Sequence, residues 1–203
     1  MRDDRSKTRV TDNHVFFVGG FFSQWHGSPF PARLPIRTGS DASPSVAPSD
    51  RIMRFSHAEQ AMMASKASVF GDKETLAKIM ATTSPKEQKA LGREVRNFIS
   101  EIWNAVAYPI VAIMNFEKFN ANPDLKAELL ATGSRHIVEG AWYDKIWGVG
   151  LAWDDPAIDN PTNWKGTNWL GEALMAVRAE LGAESGDRDP WTIERLRELP
   201  KRR

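Results

Sequence analysis

The chain has 203 residues, 41% of them hydrophobic, and can bury one good core, so a single domain with tails is the simplest organisation. Its 27 lysines and arginines nearly balance 26 aspartates and glutamates, so no global field favours nucleic acid or an anionic membrane. The absence of cysteine excludes a disulfide scaffold, a zinc–thiolate site and a cysteine nucleophile, and four scattered histidines argue against a histidine-based metal site.

The first 13 residues are polar and charged, and they contain no apolar segment of the kind that a secretory signal requires. We therefore expect residues 1–13 to form a poorly ordered tail. No apolar run approaches the ~20 residues that a membrane span needs. These features predict a soluble, cytoplasmic protein.

The domain proper is expected over residues 14–183, and its first part is β-prone. His14–Val18 predicts a short strand, which leads into an aromatic turn at 21–25. Residues 38–50 are rich in Ser and Pro and predict a loop or insertion. Arg51–Phe55 predicts a second strand.

Helix signals dominate from residue 56 onward. The predicted helices run from the capping box Ser56-x-x-Glu59 to about Val69, over Lys73–Ala81, from Ser84-Pro85 toward Gly92, over Asn97–Asn120, from Asn122-Pro123 to Gly133, and over Thr167–Leu181. Pro109 predicts a kink or break in the longest of them. Together with a short strand at His136–Ala141, they predict a mainly α-helical single domain, followed by a charged extension at 184–203, helical around Ile193–Leu199.

Five of the eight tryptophans fall between Trp142 and Trp169, interleaved with aspartates and glycines. Flat rings beside carboxylates suit a pocket for a planar, polar ligand, because stacking a base on an aromatic ring contributes roughly 1–3 kcal/mol. The alternative is that the indoles cover a core edge while the aspartates begin turns and helices. Within this stretch Asp144-x-x-Trp147-Gly148 is the most specific string, since glycine lets backbone approach a ligand closely.

Other candidate residues precede this stretch. Glu59 and Lys66 are seven residues apart, which places them on one face of a helix, although Glu59 alternatively completes a cap and Lys66 is alternatively a solvated lysine. Arg93 follows a glycine near a helix end and suits an oxyanion clamp, or else a surface salt bridge. Trp103 recurs with the apolar stripe of the long helix, which favours a core position. Asn168 opens a helix whose free N–H groups attract anions.

In chain order these strings resemble the YbiA-like, or NADAR, family over about residues 15–181. The matching strings are Phe22-Ser23-Gln24-Trp25, Ser56-x-x-Glu59, Lys66, Leu91-Gly92-Arg93, Trp103, Lys118-Phe119, Asn122-Pro123-x-Leu125, Leu129-Leu130-x-Thr132-Gly133, Val138-Glu139, Asp144-x-x-Trp147-Gly148 and Asn168-x-Leu170-Gly171-x-x-Leu174-Met175-x-x-Arg178. Gln24 stands where many relatives have Asn, and Val149-Gly150 replaces an acidic–glycine pair.

The resemblance implies a mainly α-helical N-glycosidase that needs neither cofactor nor metal. Substrates described for the family are phosphorylated riboflavin-pathway intermediates and ADP-ribose attached to guanine, in some cases within nucleic acid. The implied catalytic residues are Glu59, Lys66 and Asp144. The implied substrate contacts are Phe22, Ser23, Trp25, Arg93, Trp103, Trp147, Gly148 and Asn168.

The chemistry assigns provisional roles. Cleaving an N-glycosidic bond builds positive charge on the sugar, which a carboxylate stabilises while activating water; Glu59 is the first choice and Asp144 the second. Lys66 either forms a Schiff base with the opened sugar or holds a phosphate. Trp147, with Trp25 or Phe22, would stack on the base. Two rivals remain open: a non-catalytic nucleotide- or ADP-ribose-binding module, and a helical protein-interaction domain.

Overall fold

In a computed structural model the described residues are 7–183 and 189–198. The strands are β1 (Lys7–Val10), β2 (His14–Val18), β3 (Phe30–Ser40), β4 (Ser43–Phe55) and β5 (His136–Glu139). The helices are α1 (Ala58–Val69), α2 (Lys73–Ala81), α3 (Pro85–Arg93), α4 (Ser100–Asn120), α5 (Pro123–Ala131), α6 (Trp169–Gly182) and α7 (Glu194–Arg197). Three short 3₁₀ turns cover Pro156–Asp159, Pro161–Asn163 and Pro190–Thr192.

The prediction of a mainly α-helical fold was wrong, because the described chain forms an α/β fold with two small sheets. In the first, β2 lies in the middle, antiparallel to β1 and parallel to β5. The second is the long antiparallel hairpin of β3 and β4. Residues 38–50, predicted as a loop, lie largely within that hairpin. Prolines are tolerated there because both strands of a two-stranded sheet are edges, and Pro35 pairs with Pro48 across it.

The N-terminal prediction also needs correction. Lys7–Val10 is not part of a loose tail but pairs in register with Val15–Val18, and Arg9 places its guanidinium 4.4 Å from the ring centroid of Phe16. A four-residue polar edge strand has no apolar periodicity of its own, so only its partner strand defines it. Residues 1–6 lie outside the described residues.

Most predicted helices are confirmed. The side chains of Asp72 and Ser84 accept the capping hydrogen bonds of α2 and α3, as their positions indicated. The long helix begins at Ser100 rather than Asn97, because Asn97 takes the left-handed conformation (φ 57°) and ends the preceding turn. Pro109 does not break α4, which continues to Asn120.

Helix α4 forms the centre of the core. It packs against α1, α5, α6, α7 and the β3–β4 hairpin, and its residues Ile110 to Met114 are fully buried. A proline inside a helix costs about 3 kcal/mol, and burial of each large aliphatic side chain returns roughly 1.5–3 kcal/mol. The helix persists because packing on all sides outweighs the local cost.

The C-terminal extension contributes to this core. Its helix α7 is shorter than predicted and packs on α4 and α6, with Leu196 fully buried and Trp191 4% exposed. The remaining parts of the predicted extension, 184–188 and 199–203, lie outside the described residues. Within the described ranges, no helix combines the length and apolarity needed to cross a membrane.

Candidate active site

The start of α1 frees Glu59 for a role other than capping. The cap residue is His57, whose Nδ1 accepts a hydrogen bond from the Gln60 N–H at 3.2 Å. The Gln60 side-chain oxygen accepts in return from the N–H and hydroxyl of Ser56, at 2.8 and 2.9 Å. This reciprocal arrangement satisfies the helix start one residue later than the sequence predicted. The interpretation of Glu59 as a cap residue is therefore wrong.

Glu59 is buried and faces a cation. Its Oε1 lies 3.8 Å from the Lys89 ammonium of α3. Burial raises the pKa of the Glu59 carboxyl; Lys89 and the Trp25 indole oppose that rise, the negative charge of Asp144 adds to it, and Arg93 opposes it more weakly. The environment thus holds a carboxylate in a poorly hydrated position beside positive charge.

The aromatic turn is anchored to α1 and α4. The Glu59 N–H donates to the Gln24 carbonyl at 2.8 Å. From α4, the fully buried Lys118 donates to the carbonyls of Phe21 and Ser23, at 2.7 and 3.0 Å, and burial lowers its pKa to about 7. These three bonds hold the turn against the first residues of α1 and against the C-terminal part of α4.

The turn presents one of its three predicted contact residues to solvent. Phe22 is buried against Phe17 and Phe21, with ring centroids 5.0 and 4.0 Å away, so it belongs to the core. The Ser23 hydroxyl accepts from the Trp25 N–H and shapes the turn. Trp25 is 43% exposed, and its ring lies 5.4 Å from the Lys89 ammonium. Trp25 is therefore the most exposed of the three predicted contact residues, while Ser23 is half-buried.

Lys66 lies two helical turns after Glu59 among aromatic rings. Its ammonium is 4.0 Å from the ring centroid of Phe98 and 5.8 Å from that of Trp103. Partial burial lowers the pKa of Lys66, and the positive charge of Arg93 lowers it further. Trp103 is buried on α4, as its place in the apolar stripe indicated, yet its ring still reaches the lysine.

The loop after β5 brings in Asp144. Its Oδ1 accepts from the N–H groups of Ile146 and Trp147, at 2.9 and 2.8 Å, which closes a tight turn. Gly148 is favoured by the packing of the loop itself, since a Cβ there would lie tightly against two carbonyl oxygens, 3.0 Å from that of Glu139 and 3.1 Å from that of Asp144. The glycine therefore permits close backbone packing here, and close approach to a ligand is not needed to explain it.

The side chain of Asn168 forms hydrogen bonds with the backbone of β5. It adopts the left-handed conformation (φ 55°) and is buried. Its Oδ1 accepts from the Glu139 N–H at 3.0 Å, and its Nδ2 donates to the Ile137 carbonyl at 2.9 Å. Asn168 thus holds the end of β5 in place.

The tryptophan stretch packs against both apolar clusters of the fold: Trp147 and Trp169 against the main core, and Trp153 and Trp164 against the smaller one. Trp147 is half-buried, with its ring 5.7 Å from that of Trp169. The indole of Trp164 donates to the Ile158 carbonyl beside the small apolar cluster against which Trp153 packs. Trp142 is 69% exposed. Most of these indoles therefore serve packing, which is the alternative interpretation of the stretch.

Two residues near the predicted catalytic groups were missed as site residues. Lys89 stands four residues before Arg93, so α3 directs two cations toward Glu59 from one face. Glu139 ends β5, and its carboxyl interacts with those of Asp144 and Glu59. An acidic residue at the buried end of a predicted strand is the sequence signal that could have identified it.

Two features of the described residues bear on metal and ligand binding. No group of three or more His, Asp or Glu side chains has an arrangement able to hold a metal ion. An apolar groove of about 390 Å³ lies between the hairpin and helices α1 and α2, lined in part by Leu34, Met53, Leu76 and Met80, and none of the predicted catalytic or substrate-contact residues lines it.

Comparison with known proteins places the chain in a family. A family model described as the NADAR domain matches residues 16–182. N-glycosidase R617 of Acanthamoeba polyphaga mimivirus is 40% identical over 179 residues, 84% of this chain and 97% of that protein. Protein irg-1 of Caenorhabditis elegans is 32% identical over 183 residues, 89% of this chain and 83% of that protein.

The fold has a solved counterpart. The NMR structure of the Escherichia coli protein YbiA matches with a TM-score of 0.60 at 23% identity, covering 89% of this chain and 90% of that one. The family resemblance of the sequence motifs is confirmed by these matches. The chain therefore belongs to the NADAR domain family.

Proposed function

We propose that this chain is a hydrolase of N-glycosidic bonds, cleaving a ribose-type sugar from a nitrogenous base. The relatives R617 and YbiA are named N-glycosidases, which supports this reaction class. The observation that carries the proposal is the buried Glu59 carboxyl, whose pKa is raised by burial and modulated by Lys89, Asp144 and Arg93. Carboxylates of this kind serve glycoside cleavage.

Glu59 acts on the sugar. As the C1′–N bond breaks, positive charge develops on C1′ and the ring oxygen, and a carboxylate in a poorly hydrated site stabilises that charge strongly. The same carboxylate accepts a proton from the attacking water. Asp144 fixes its loop by accepting hydrogen bonds from the N–H groups of Ile146 and Trp147, so its main role is to position Trp147.

Aromatic and cationic groups bind the two ends of the substrate. The exposed face of Trp25 and the half-buried Trp147 stack on the base. Arg93 and Lys89 supply positive charge for a phosphate, with Arg93 able to grip it bidentately. This set suits a sugar that carries a 5′-phosphate or an ADP group, with a riboflavin-pathway intermediate or ADP-ribosylated guanine as the candidate substrates.

Lys66 has two possible roles that its surroundings support to different degrees. Burial and Arg93 lower its pKa, which increases the neutral amine fraction needed for attack on an opened sugar aldehyde. Its position over the rings of Phe98 and Trp103 equally suits a fixed cation. A Schiff base on Lys66 and direct attack of water on C1′ are alternative routes, which trapping of the imine distinguishes.

The test is incubation with ADP-ribosylated guanosine and, separately, with a ribosylaminopyrimidine phosphate, followed by mass spectrometry of the released base. We expect free base from at least one substrate. Borohydride added during turnover should leave a covalent adduct on Lys66; without an adduct, the lysine acts as a cation. Tight binding of ADP-ribose with no base released over hours would overturn the hydrolase and support a binding module.

A further inference from the structure

We propose that Glu139 is a second catalytic residue, the general acid that protonates the departing base. The proposal rests on the proposed N-glycosidase function and deepens it, since it assigns the proton that the leaving nitrogen needs. Glu139 and Glu59 would then divide the reaction between an acid and a base.

The backbone holds Glu139 rigidly at the edge of the site. It is the last residue of β5, paired with Phe17 of the parallel strand β2. Its N–H donates to the Asn168 side chain at 3.0 Å, and its carbonyl accepts from the Val149 N–H at 3.0 Å. A catalytic group held on both sides in this way needs little reorganisation during the reaction.

The carboxyl of Glu139 has an unused hydrogen-bonding position. Its Oε2 is buried and contacts no hydrogen-bond partner among the described residues. Buried polar atoms are nearly always satisfied, so an unpartnered carboxyl oxygen calls for an explanation, and a catalytic role is one. A proton on Oε2 has no acceptor among the described residues, and we assign it to a substrate atom.

The surrounding charges keep that proton on the carboxyl. Burial raises the pKa of Glu139 to about 8; the negative charge of Asp144 adds to the rise, Lys89 opposes it, and Glu59 adds to it. Tyr143, on the same loop as Asp144, is the other titratable group that faces it, and its own pKa is raised by burial and then by Glu139. At neutral pH the carboxyl is therefore mainly a neutral acid.

Glu59 and Glu139 differ in their partners. Lys89 lies 3.8 Å from Glu59, and the Trp25 indole also favours the Glu59 anion. Glu139 has no such close cation within the described residues, although Lys89 acts on it from farther away. Burial raises the pKa of both carboxyls, but only Glu59 has a cation within 4 Å that favours its charged form, and this difference in partners assigns the base role to Glu59 and the acid role to Glu139.

The proton balance of the step is complete. The C1′–N bond breaks and its electron pair moves to the base nitrogen, which takes the proton from Glu139. Water adds its oxygen to C1′ and gives its proton to Glu59. Glu59 then loses a proton to solvent and Glu139 gains one, which restores both groups. No oxidant, reductant or further reactant is required.

The experiment compares Glu139→Gln with wild type, scoring kcat/KM against pH on whichever substrate wild type cleaves. Glutamine keeps the size of the side chain but cannot supply the proton. Wild-type kcat/KM should fall on the alkaline side near pH 8, and in Glu139→Gln we expect a loss of about 10²-fold or more near neutral pH together with disappearance of that fall. Glu128→Gln, an exposed change on α5, is the matched control and should reproduce the wild-type profile.

The outcomes separate the two proposals. An active wild type with Glu139→Gln within about threefold of it, or with the alkaline fall intact, overturns the acid role and leaves the hydrolase standing. No base release by wild type overturns both. An infrared pH titration of the free protein measures the protonation state of the Glu139 carboxyl without relying on turnover. Wild type should show a neutral carboxylic acid band that is lost near pH 8, and Glu139→Gln should lack this band.

Discussion

Among single residues, the role proposed for Glu59 depends on the helix cap of α1, which lies one residue later than the sequence predicts. A Ser-x-x-Glu string predicts that Glu59 closes a capping box, but His57 and Gln60 do so in the structure. Helix caps often vary by one residue, and both neighbours have side chains able to accept the bond. The Glu59 carboxyl is therefore not used by the helix cap.

Glu59→Gln should abolish most turnover without weakening the fold. We expect a loss of about 10²–10⁴-fold in kcat, because the amide can neither stabilise the sugar cation nor accept a proton. Turnover by mass spectrometry and thermal melting measure the two effects. The matched change Gln60→Ala, in contrast, should lower the free energy of unfolding by about 1 kcal/mol, because the Ser56 N–H loses its acceptor. Wild-type turnover in Glu59→Gln would remove Glu59 from the mechanism.

Among the elements of the fold, helix α4 holds the aromatic turn at residues 21–25 in position. The ammonium of Lys118 holds the carbonyls of Phe21 and Ser23 from inside the core. Nothing in the local sequence of α4 distinguishes this lysine from a solvated one, since long-range packing alone buries it. Lys118 therefore positions the turn that carries Gln24 and Trp25.

Lys118→Met should disturb both the turn and the pH dependence of stability. Leaving two carbonyls without a donor costs roughly 1–3 kcal/mol each, and misplacing Trp25 should lower turnover. The folded-state pKa of Lys118 is lowered to about 7, so above that pH the unfolded chain binds the extra proton and wild-type stability gains as pH rises.

The stability gap between wild type and Lys118→Met should therefore widen from about pH 6.5 to 8.5, measured by urea unfolding. The exposed Lys86→Met on α3 is the control, and its gap to wild type should stay flat. A pH-independent gap for Lys118→Met would show that the buried lysine keeps its charge throughout this range.

At the scale of the whole molecule, the C-terminal segment closes the core over α4. Trp191 and Leu196 are buried there, although the sequence around them is mainly charged. A short helix with two apolar anchors carries too little periodicity to be predicted as part of a core. Its contribution depends on contacts with residues far away in the chain.

Trp191→Ala should cost roughly 3–5 kcal/mol of unfolding free energy, because it removes a large buried ring and leaves a cavity against the core. Denaturant unfolding measures this directly. Trp142→Ala is the matched control: its ring is 69% exposed, so the change should stay within about 0.5 kcal/mol. Equal effects for the two variants would mean that the C-terminal segment does not pack as described.

Most helices, the strands at His14–Val18 and around His136, and the family could be predicted from the sequence, because apolar periodicity, caps and motif order are local signals. The sequence also identified Glu59, Lys66, Arg93 and Asp144 as candidates. Only the tertiary structure revealed the long hairpin and the edge strand β1, since pairing is decided by a partner elsewhere in the chain. Only the tertiary structure shows that Phe22 and Asn168 are buried and support the surrounding backbone and core. Only the tertiary structure places Lys89, Lys118 and Glu139 near the predicted site residues, because burial and charge depend on residues that are neighbours only in space.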